Sequence, residues 1–241
     1  MKKWLLGAVT GLIVVAVVAL YFIIPKQGGG LGPPSHVEST GGKYNATISS
    51  WASEDWYAHI EYTNETGKHS EMYFNLKMRD GLDWIRNNTP QNTTILCWWE
   101  DGHMIKGYTE RDVVIRNPSH ETLNSVANPS GVVEFDPNEK IVEVAKAFTA
   151  NDSTEMISIM NKYDADYVFV SLDFFNRGAA IWLYDAAGLD WNLYLYAQNS
   201  TWQFSEAGQQ TMFSKLIGNR GTGLSLVYQD ETMIVYRKSQ P

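Results

Sequence analysis

The segment TTILCWWEDGH, residues 93–103, is the most informative stretch of the chain. Its β-branched and apolar side chains predict a strand over Thr93–Trp99. Neighbouring side chains of a strand point to opposite faces, so one of the indoles of Trp98 and Trp99 can pack in a core while the other faces a cleft. The carboxylates Glu100 and Asp101 follow directly, at the end of the strand, where α/β folds place functional loops.

Strand-like and helix-like runs alternate on both sides of this segment. Further strands are predicted at Val113–Arg116, Tyr167–Ser171 and Leu193–Tyr196, and a hairpin is predicted from Leu224–Tyr228 and Met233–Arg237. Helices are predicted at Met72–Asn87, at Glu139–Thr149 after Asp136 and Pro137, from an Asp152 or Ser153 cap to Tyr163, and from Ser205 and Glu206 to Ile217. This alternation predicts an α/β fold in which helices cover a sheet.

Composition argues against several classes of protein. The net charge of −8 would repel a phosphate backbone, so nucleic acid is not an expected partner. A single cysteine, Cys97, excludes an internal disulfide and a cysteine zinc cage, and its apolar neighbours favour a buried packing thiol over a reactive one. The chain has no Walker loop and no GxSxG, HExxH or GxGxxG motif, so we predict no cofactor.

The N-terminal region predicts a membrane anchor. The 21 residues from Trp4 to Ile24 contain no charge, and at ~1.5 Å per residue they match the ~30 Å hydrocarbon core of a bilayer. A cleaved signal peptide is the alternative, but the run is long and ends without a small-residue cleavage site. We therefore predict a transmembrane helix at 4–24, a flexible Gly- and Pro-rich linker at 25–43, and a globular α/β domain at 44–241.

Glycosylation sequons indicate which side of the membrane the domain occupies. Lysines before the helix favour a cytoplasmic N-terminus only slightly. Chance predicts about two Asn-x-Ser/Thr sequons in this composition, and six are present. We therefore expect a single-pass protein of the cell membrane with an extracytoplasmic, glycosylated domain. The sequons begin at Asn45, Asn64, Asn87, Asn92, Asn151 and Asn199.

The segment Trp98-Trp99-Glu100-Asp101-Gly102 resembles the WWDYG signature of the catalytic subunit of oligosaccharyltransferase, the membrane enzyme of asparagine-linked glycosylation, particularly its archaeal members. Further segments from about residue 83 to the C-terminus strengthen the resemblance. They are WIRNNTP at 84–90, Gly107-Tyr108, Val113-Val114, and Lys162-Tyr163 leading into YVFVS at 167–171. The resemblance implies that the chain corresponds to the last membrane helix and the C-terminal soluble domain of that subunit.

The resemblance also implies a binding site. In the family, the double Trp and the Asp of the signature bind the hydroxyl of the Ser or Thr two places after the acceptor Asn. Trp98, Trp99, Glu100 and Asp101 are therefore the expected acceptor-binding residues, although Glu100 stands where the family has Asp and Asp101 where it has Tyr.

Two further groups of polar residues are weaker candidates. A second family motif, an Asp followed by a Lys three residues later, falls near Asp173 and Asn176, with Asn in place of the lysine. Glu100, Asp101 and His103 could in principle ligate a metal, but polar residues of a turn are more often solvated, so we predict no metal site.

The catalytic region of the family lies in a multi-helix membrane part that this sequence lacks. Alone, the chain is therefore not expected to transfer glycan. The expected function is recognition of sequon-like peptide, or association with a complete transferase. One alternative is a non-catalytic interaction subunit of another archaeal membrane complex, in which the tryptophans are packing residues followed by an acidic turn. Another is that the sequence is a fragment of a complete enzyme.

Overall fold

The computed structural model describes residues 33–51, 57–65, 67–116, 139–176, 178–199 and 201–239. Those from Pro34 onward form one compact unit that mixes helices and strands, as the sequence predicts. None of the helices within these ranges is long and apolar enough to cross a membrane. The predicted membrane helix at 4–24, the linker as far as residue 32, and the predicted helix cap at 136–137 lie outside the described residues.

An antiparallel sheet forms the N-terminal part of the unit. Its strands pair in the order β1-β2-β3-β4. They are β1 (His36–Ser39), β2 (Thr47–Ser50), β3 (Tyr57–Asn64) and β4 (Gly67–Asn75).

Strand β1 lies inside the segment 25–43 that the sequence predicts to be a flexible linker, so the prediction is wrong for this part. Pairing with β2 orders β1, and so do an ion pair between Glu38 and Arg79 and a hydrogen bond from Arg86 to the carbonyl oxygen of Thr40. These partners are distant in the chain, and the strand itself is polar, so hydrophobic patterning does not reveal it.

A mixed sheet lies at the centre of the unit, with strand order β10-β11-β7-β5-β6. Strand β5 is parallel to β6 and β7, and β11 pairs antiparallel with β7 and β10. The prediction for β7 is confirmed at both ends, and so is the C-terminal hairpin. The strands are β5 (Thr94–Leu96), β6 (Asp112–Val113), β7 (Tyr167–Ser171), β10 (Leu224–Gln229) and β11 (Met233–Lys238). A separate hairpin joins β8 (Leu195–Gln198) to β9 (Thr201–Phe204).

The helices agree with the predictions where capping is clear. Asp152 caps α4 through a bond from the backbone N–H of Thr154, and Ser205 caps α7. The predicted helix from 205 to 217 is broken in two, because Thr211 ends α7 and caps α8. The helices are α1 (Arg79–Asn88), α2 (Trp99–Thr109), α3 (Glu139–Thr149), α4 (Ser153–Lys162), α5 (Leu172–Asn176), α6 (Ile181–Ala186), α7 (Glu206–Gln210) and α8 (Met212–Ile217).

The predicted helix at 72–87 is wrong in its first part. Residues 72–75 belong to β4, a short 3₁₀ turn follows at Leu76–Met78, and α1 begins only at Arg79. Antiparallel pairing of β4 with β3 overrides the helical spacing of the apolar residues in this segment.

One apolar core joins the antiparallel sheet, α1, α2 and the central sheet. It includes Ile48, Ile60, Leu82, Ile105 and Phe169. Helix α2 is buried along most of its length because it packs on other elements on more than one side. The missing side chains of Gly102 and Gly107 permit this, since an added Cβ would lie 2.2 Å from the carbonyl oxygen of Ile115 and 2.5 Å from the ring of Tyr62, respectively. The start of α2 is therefore held firmly in place.

Candidate functional site

Trp98 and Trp99 lie at the junction between β5 and α2. Strand β5 ends at Leu96, earlier than predicted, and α2 begins at Trp99. Trp98 is the N-cap residue of α2, with extended backbone angles (φ −72°, ψ 150°). The helix begins here because two acidic residues in its first turn favour the positive end of the helix dipole. The two indoles therefore do not alternate across a strand as predicted, but lie side by side with ring centroids 6.2 Å apart.

A small cavity lies beside Trp98, with a volume of about 10 Å³. This is about the smallest space that can hold one water molecule. Two of its lining residues are polar, Asp101 and Ser171. The hydroxyl of Ser171 accepts a hydrogen bond from the backbone N–H of Phe174. The remaining lining residues are apolar: Phe148, Phe169, Val170, Phe174, Leu183 and Phe213.

The indole nitrogens are the most unusual feature of this site. The Nε1 atoms of Trp98 and Trp99 are both buried, and neither has a hydrogen-bond acceptor among the residues that the structure describes. A buried donor without an acceptor costs about 1–3 kcal/mol, and most buried polar groups in proteins are paired. Two such donors on adjacent residues favour a site that receives its acceptor from a bound molecule.

The two carboxylates of the motif have different surroundings. Asp101 is only 8% exposed and lines the cavity, and its backbone N–H donates to the carbonyl oxygen of Trp98. Glu100 is partly exposed in the first turn of α2. The resemblance aligns Glu100 with the family's carboxylate, whereas in the structure Asp101 is the acidic residue that lines the cavity.

The secondary motif lies near the tryptophans because Phe174, a residue that the sequence did not single out, packs against Trp98. Asp173 and Asn176 are on α5, and the ring of Phe174 between them packs against Trp98 with centroids 6.3 Å apart. Burial raises the pKa of Asp173, an effect that nearby Lys77 partly opposes. Asn176 is exposed. The structure therefore brings the two motifs together by apolar packing.

His103 points to another part of the unit. Its Nδ1 lies 3.0 Å from the hydroxyl oxygen of Tyr62, and its ring is 5.3 Å from that of His69 on β4. It therefore does not join Asp101 at the cavity. Within the described part of the chain, no group of three or more His, Cys, Asp or Glu side chains could hold a metal ion.

Cys97 is a packing residue, as predicted. Its thiol is fully buried and lies 3.7 Å from the carbonyl oxygen of Ile115, to which it donates. Burial, together with the negative charge of Asp101, raises the pKa of the thiol well above its usual value. A thiol with a raised pKa is a poor nucleophile at neutral pH.

Sequence reasoning missed most of the cavity wall. Phe148, Leu183 and Phe213 belong to three helices that are far apart in the chain, and Ser171 ends a strand. Each of these residues is an ordinary member of an apolar run. Only their approach to Trp98 in the folded chain makes them part of the site.

Sequence comparison finds glycosyltransferase subunits among the relatives of the chain, although no family model matches it. Over 124 residues it is 27% identical to dolichyl-diphosphooligosaccharide–protein glycosyltransferase subunit stt3 of Schizosaccharomyces pombe, a match that covers 51% of this chain and 14% of the relative. Over 31 residues it is 55% identical to dolichyl-phosphooligosaccharide-protein glycotransferase of Methanocaldococcus jannaschii, covering 13% of this chain and 3% of that protein. The chain therefore spans only a small part of the length of these relatives.

Structural comparison agrees with the sequence relatives. The fold is similar to the crystal structure of the C-terminal globular domain of oligosaccharyltransferase from Archaeoglobus fulgidus, with a TM-score of 0.52 and 20% identity. The similarity covers 70% of this chain and 100% of that domain. The homologues of this chain are thus oligosaccharyltransferases, and its fold is that of their C-terminal globular domain.

Proposed function

We propose that the chain is a membrane-anchored homologue of the acceptor-recognition domain of oligosaccharyltransferase, and that it binds sequon-like peptide at Trp98, Trp99, Glu100 and Asp101. The observation that supports this most directly is the pair of buried indole N–H groups without an acceptor among the described residues. Trp98 lines a small cavity together with Asp101, and the ring of Trp99 lies next to that of Trp98.

A hydroxyl group suits this arrangement chemically. Its oxygen has two lone pairs and can accept hydrogen bonds from indole N–H groups, while its own hydrogen can be donated to a carboxylate such as that of Asp101. Threonine adds a methyl group, which gains free energy wherever it contacts an apolar side chain. We therefore expect peptides with Asn-x-Thr to bind at least as tightly as those with Asn-x-Ser.

The membrane topology is part of the same proposal. The uncharged run at 4–24 would anchor the chain with its N-terminus in the cytoplasm, and the globular domain would lie outside the cell. There the domain could bind newly exported peptide or a complete transferase. The role proposed for this chain is binding, and transfer of glycan does not form part of it.

The test is peptide binding by the full-length chain in detergent, with Trp99→Phe as the key variant. Phe keeps an aromatic ring but removes the N–H donor, and Trp99 is only partly buried, so the fold should tolerate the change. Loss of one hydrogen bond should weaken binding of an Asn-x-Thr peptide about 10-fold. Trp191→Phe, at a partly buried tryptophan in another element, is the matched control and should leave binding unchanged.

Two further variants separate the carboxylates. If Asp101 accepts the hydrogen bond of the peptide hydroxyl, Asp101→Asn should weaken peptide binding. If Glu100 is the acceptor instead, Glu100→Asp should tighten peptide binding. An Asn-x-Ala peptide is the ligand control and should bind no better than a scrambled peptide. If the wild-type chain and Glu100→Asp both fail to bind Asn-x-Thr, the proposal is wrong, and the role of an interaction subunit in another membrane complex is the better explanation.

A further inference from the structure

The six sequons of the chain have very different surroundings in the folded domain. A sequon is modified when the amide nitrogen of its asparagine and the hydroxyl two residues later reach the modifying enzyme together. Both groups must therefore be accessible, and the backbone between them must be able to leave its own hydrogen-bonded partners. These requirements distinguish the six sites.

In the sequon at Asn64, the amide group of the asparagine itself is inaccessible. Asn64 ends strand β3, and its side-chain oxygen lies 3.0 Å from Nε2 of His69 on the neighbouring strand. The amide nitrogen, the atom that would be joined to the sugar, is buried. Modification here requires the hairpin of β3 and β4 to open.

In the sequon at Asn87, the inaccessible group is the hydroxyl of Thr89. Asn87 is exposed on α1, but the Thr89 hydroxyl is buried, donates to the carbonyl oxygen of Ile85 at 2.7 Å and accepts from Nε of Arg111 at 3.0 Å. Arg111 also donates to the carbonyl oxygens of Arg86 and Thr89. Release of the hydroxyl would break this buried network.

The sequons at Asn45 and Asn92 are held by sheets. Their hydroxyl residues, Thr47 and Thr94, lie in β2 and β5, and each of these strands has a neighbouring strand on both sides. Thr47 is paired with both Ser39 and Glu61. Neither segment can bind elsewhere without being pulled out of a sheet.

The sequon at Asn151 is held by a helix. Its hydroxyl residue, Ser153, is the first residue of α4, and Asp152 between the two caps that helix. The carbonyl oxygen of Asn151 accepts a hydrogen bond from the side chain of Lys215. If this segment bound to an enzyme, α4 would lose the hydrogen bond of its N-cap.

The sequon at Asn199 differs from these five. Asn199 is exposed, and it lies between β8 and β9, whose last pair before the turn is Gln198 with Thr201. Its φ of +49° is a left-handed conformation that asparagine tolerates well. Thr201 is also exposed, and its hydroxyl donates to the carbonyl oxygen of Gln198 at 2.7 Å, a bond that water can replace. Gln198 and Thr201 are both exposed, so this end of the hairpin can open without exposing core side chains.

From these contacts we infer that Asn199 is the site at which the folded domain accepts an asparagine-linked glycan. The donor is a lipid-linked oligosaccharide. The amide nitrogen of Asn199 forms a bond to the anomeric carbon of the first sugar, the bond from that carbon to the phosphate oxygen of the lipid carrier breaks, and the lipid phosphate leaves with the electron pair while the amide proton is released. The other five sequons accept a glycan only before the domain has folded. This inference does not depend on peptide binding at Trp98 and Trp99.

The experiment compares the folded chain with its own sequons as free peptides. The full-length chain is produced in a host without asparagine-linked glycosylation, and folding is verified by thermal unfolding. Chain and peptides are then incubated with an oligosaccharyltransferase and its lipid-linked donor, and occupancy at each site is measured by peptide mass spectrometry. We expect all six peptides to be modified, and the folded chain to be modified at Asn199 at least 10-fold more than at any other site.

Variants provide the controls. Asn199→Gln and Thr201→Ala should each abolish modification of the folded chain, Thr201→Ser should preserve it, and Asn87→Gln should leave it unchanged. Modification of folded chain at Asn64 or Asn87 to the same level as at Asn199 would overturn the inference. So would an Asn199 peptide, or a folded chain at Asn199, that accepts no glycan under conditions in which the other peptides are modified.

Discussion

Trp98 and Asp101 show how a shift of a few residues in an element changes the chemistry of a site. If the strand had continued to Trp99, the two indoles would point to opposite faces. Because α2 begins at Trp99 instead, the indole rings are neighbours and Asp101 lines the cavity beside Trp98. The fourth residue of the motif, Asp101, therefore lines this cavity, whereas the third, Glu100, is not among its lining residues.

Arg111 is the single residue on which we expect the fold around α1 and α2 to depend most. Its buried guanidinium donates to Thr89 Oγ1 and to the carbonyl oxygens of Arg86, Thr89 and Thr109. Lysine keeps the charge but cannot reproduce this planar set of donors. Arg111→Lys should lower the free energy of unfolding by about 2–4 kcal/mol, measured by urea denaturation.

Arg237→Lys is the matched control for that measurement. Arg237 is exposed on β11, so its replacement should change the free energy of unfolding by less than about 0.5 kcal/mol. Equal effects of the two substitutions would show that the buried network of Arg111 contributes no stability of its own.

At the scale of elements, the C-terminal hairpin depends on a carboxylate in its turn. Asp230 accepts hydrogen bonds from the backbone N–H groups of Thr232 and Met233 and from the hydroxyls of Thr232 and Tyr228. Burial tends to raise the pKa of Asp230, but these hydrogen bonds outweigh it, so the pKa lies below the usual 3.8. The charged form is therefore the one that stabilises the turn between β10 and β11.

Asp230→Ala should destabilise the domain by about 1–3 kcal/mol near neutral pH, because several donors lose their acceptor. A depressed pKa contributes stability that is present above the unfolded value of 3.8 and is lost as the pH falls through the lower, folded value. The difference between wild type and variant should therefore shrink below pH 3.8. Thermal unfolding of both proteins between pH 7 and pH 2.5 measures it.

The neighbouring residue offers the control for this pH dependence. Glu231→Ala removes an exposed carboxylate from the same turn and should change stability little at any of these pH values. A difference between wild type and Asp230→Ala that stays constant down to pH 2.5 would contradict the stabilising role of the charged carboxylate.

At the scale of the whole molecule, the folded unit begins at Pro34, ten residues before the boundary predicted from the sequence. A chain that begins at Pro34 retains β1, the ion pair between Glu38 and Arg79, and the bond from Arg86 to Thr40. A chain that begins at Tyr44, the boundary predicted from sequence, loses all three and leaves β2 as an edge strand. We expect the second chain to unfold at a temperature at least about 5 °C lower, since about 1 kcal/mol corresponds to a few degrees in a domain of this size. Identical unfolding temperatures in a thermal scan of the two would show that β1 adds nothing.

Several features of the fold could be predicted because they depend on residues that are close together in the chain. The fully buried strand β7, the caps Asp152 and Ser205, and the β10–β11 hairpin all have local patterns, and the structure confirms them. Burial of Cys97 belongs to the same group, because its immediate neighbours are apolar.

The rest depends on contacts outside the segment itself. Strand β1 is ordered by β2 and by Arg79 and Arg86, which are far from it in the chain. Residues 72–75 belong to a strand because the adjacent strand β3 pairs with β4, although their own apolar residues have helical spacing. The cavity beside Trp98 has the same origin, since its walls come from β7, α3, α5, α6 and α8. Local patterns report how a segment pairs with its near neighbours, whereas burial and cavity shape arise only when elements pack, which is why the motif was visible in the sequence and its pocket was not.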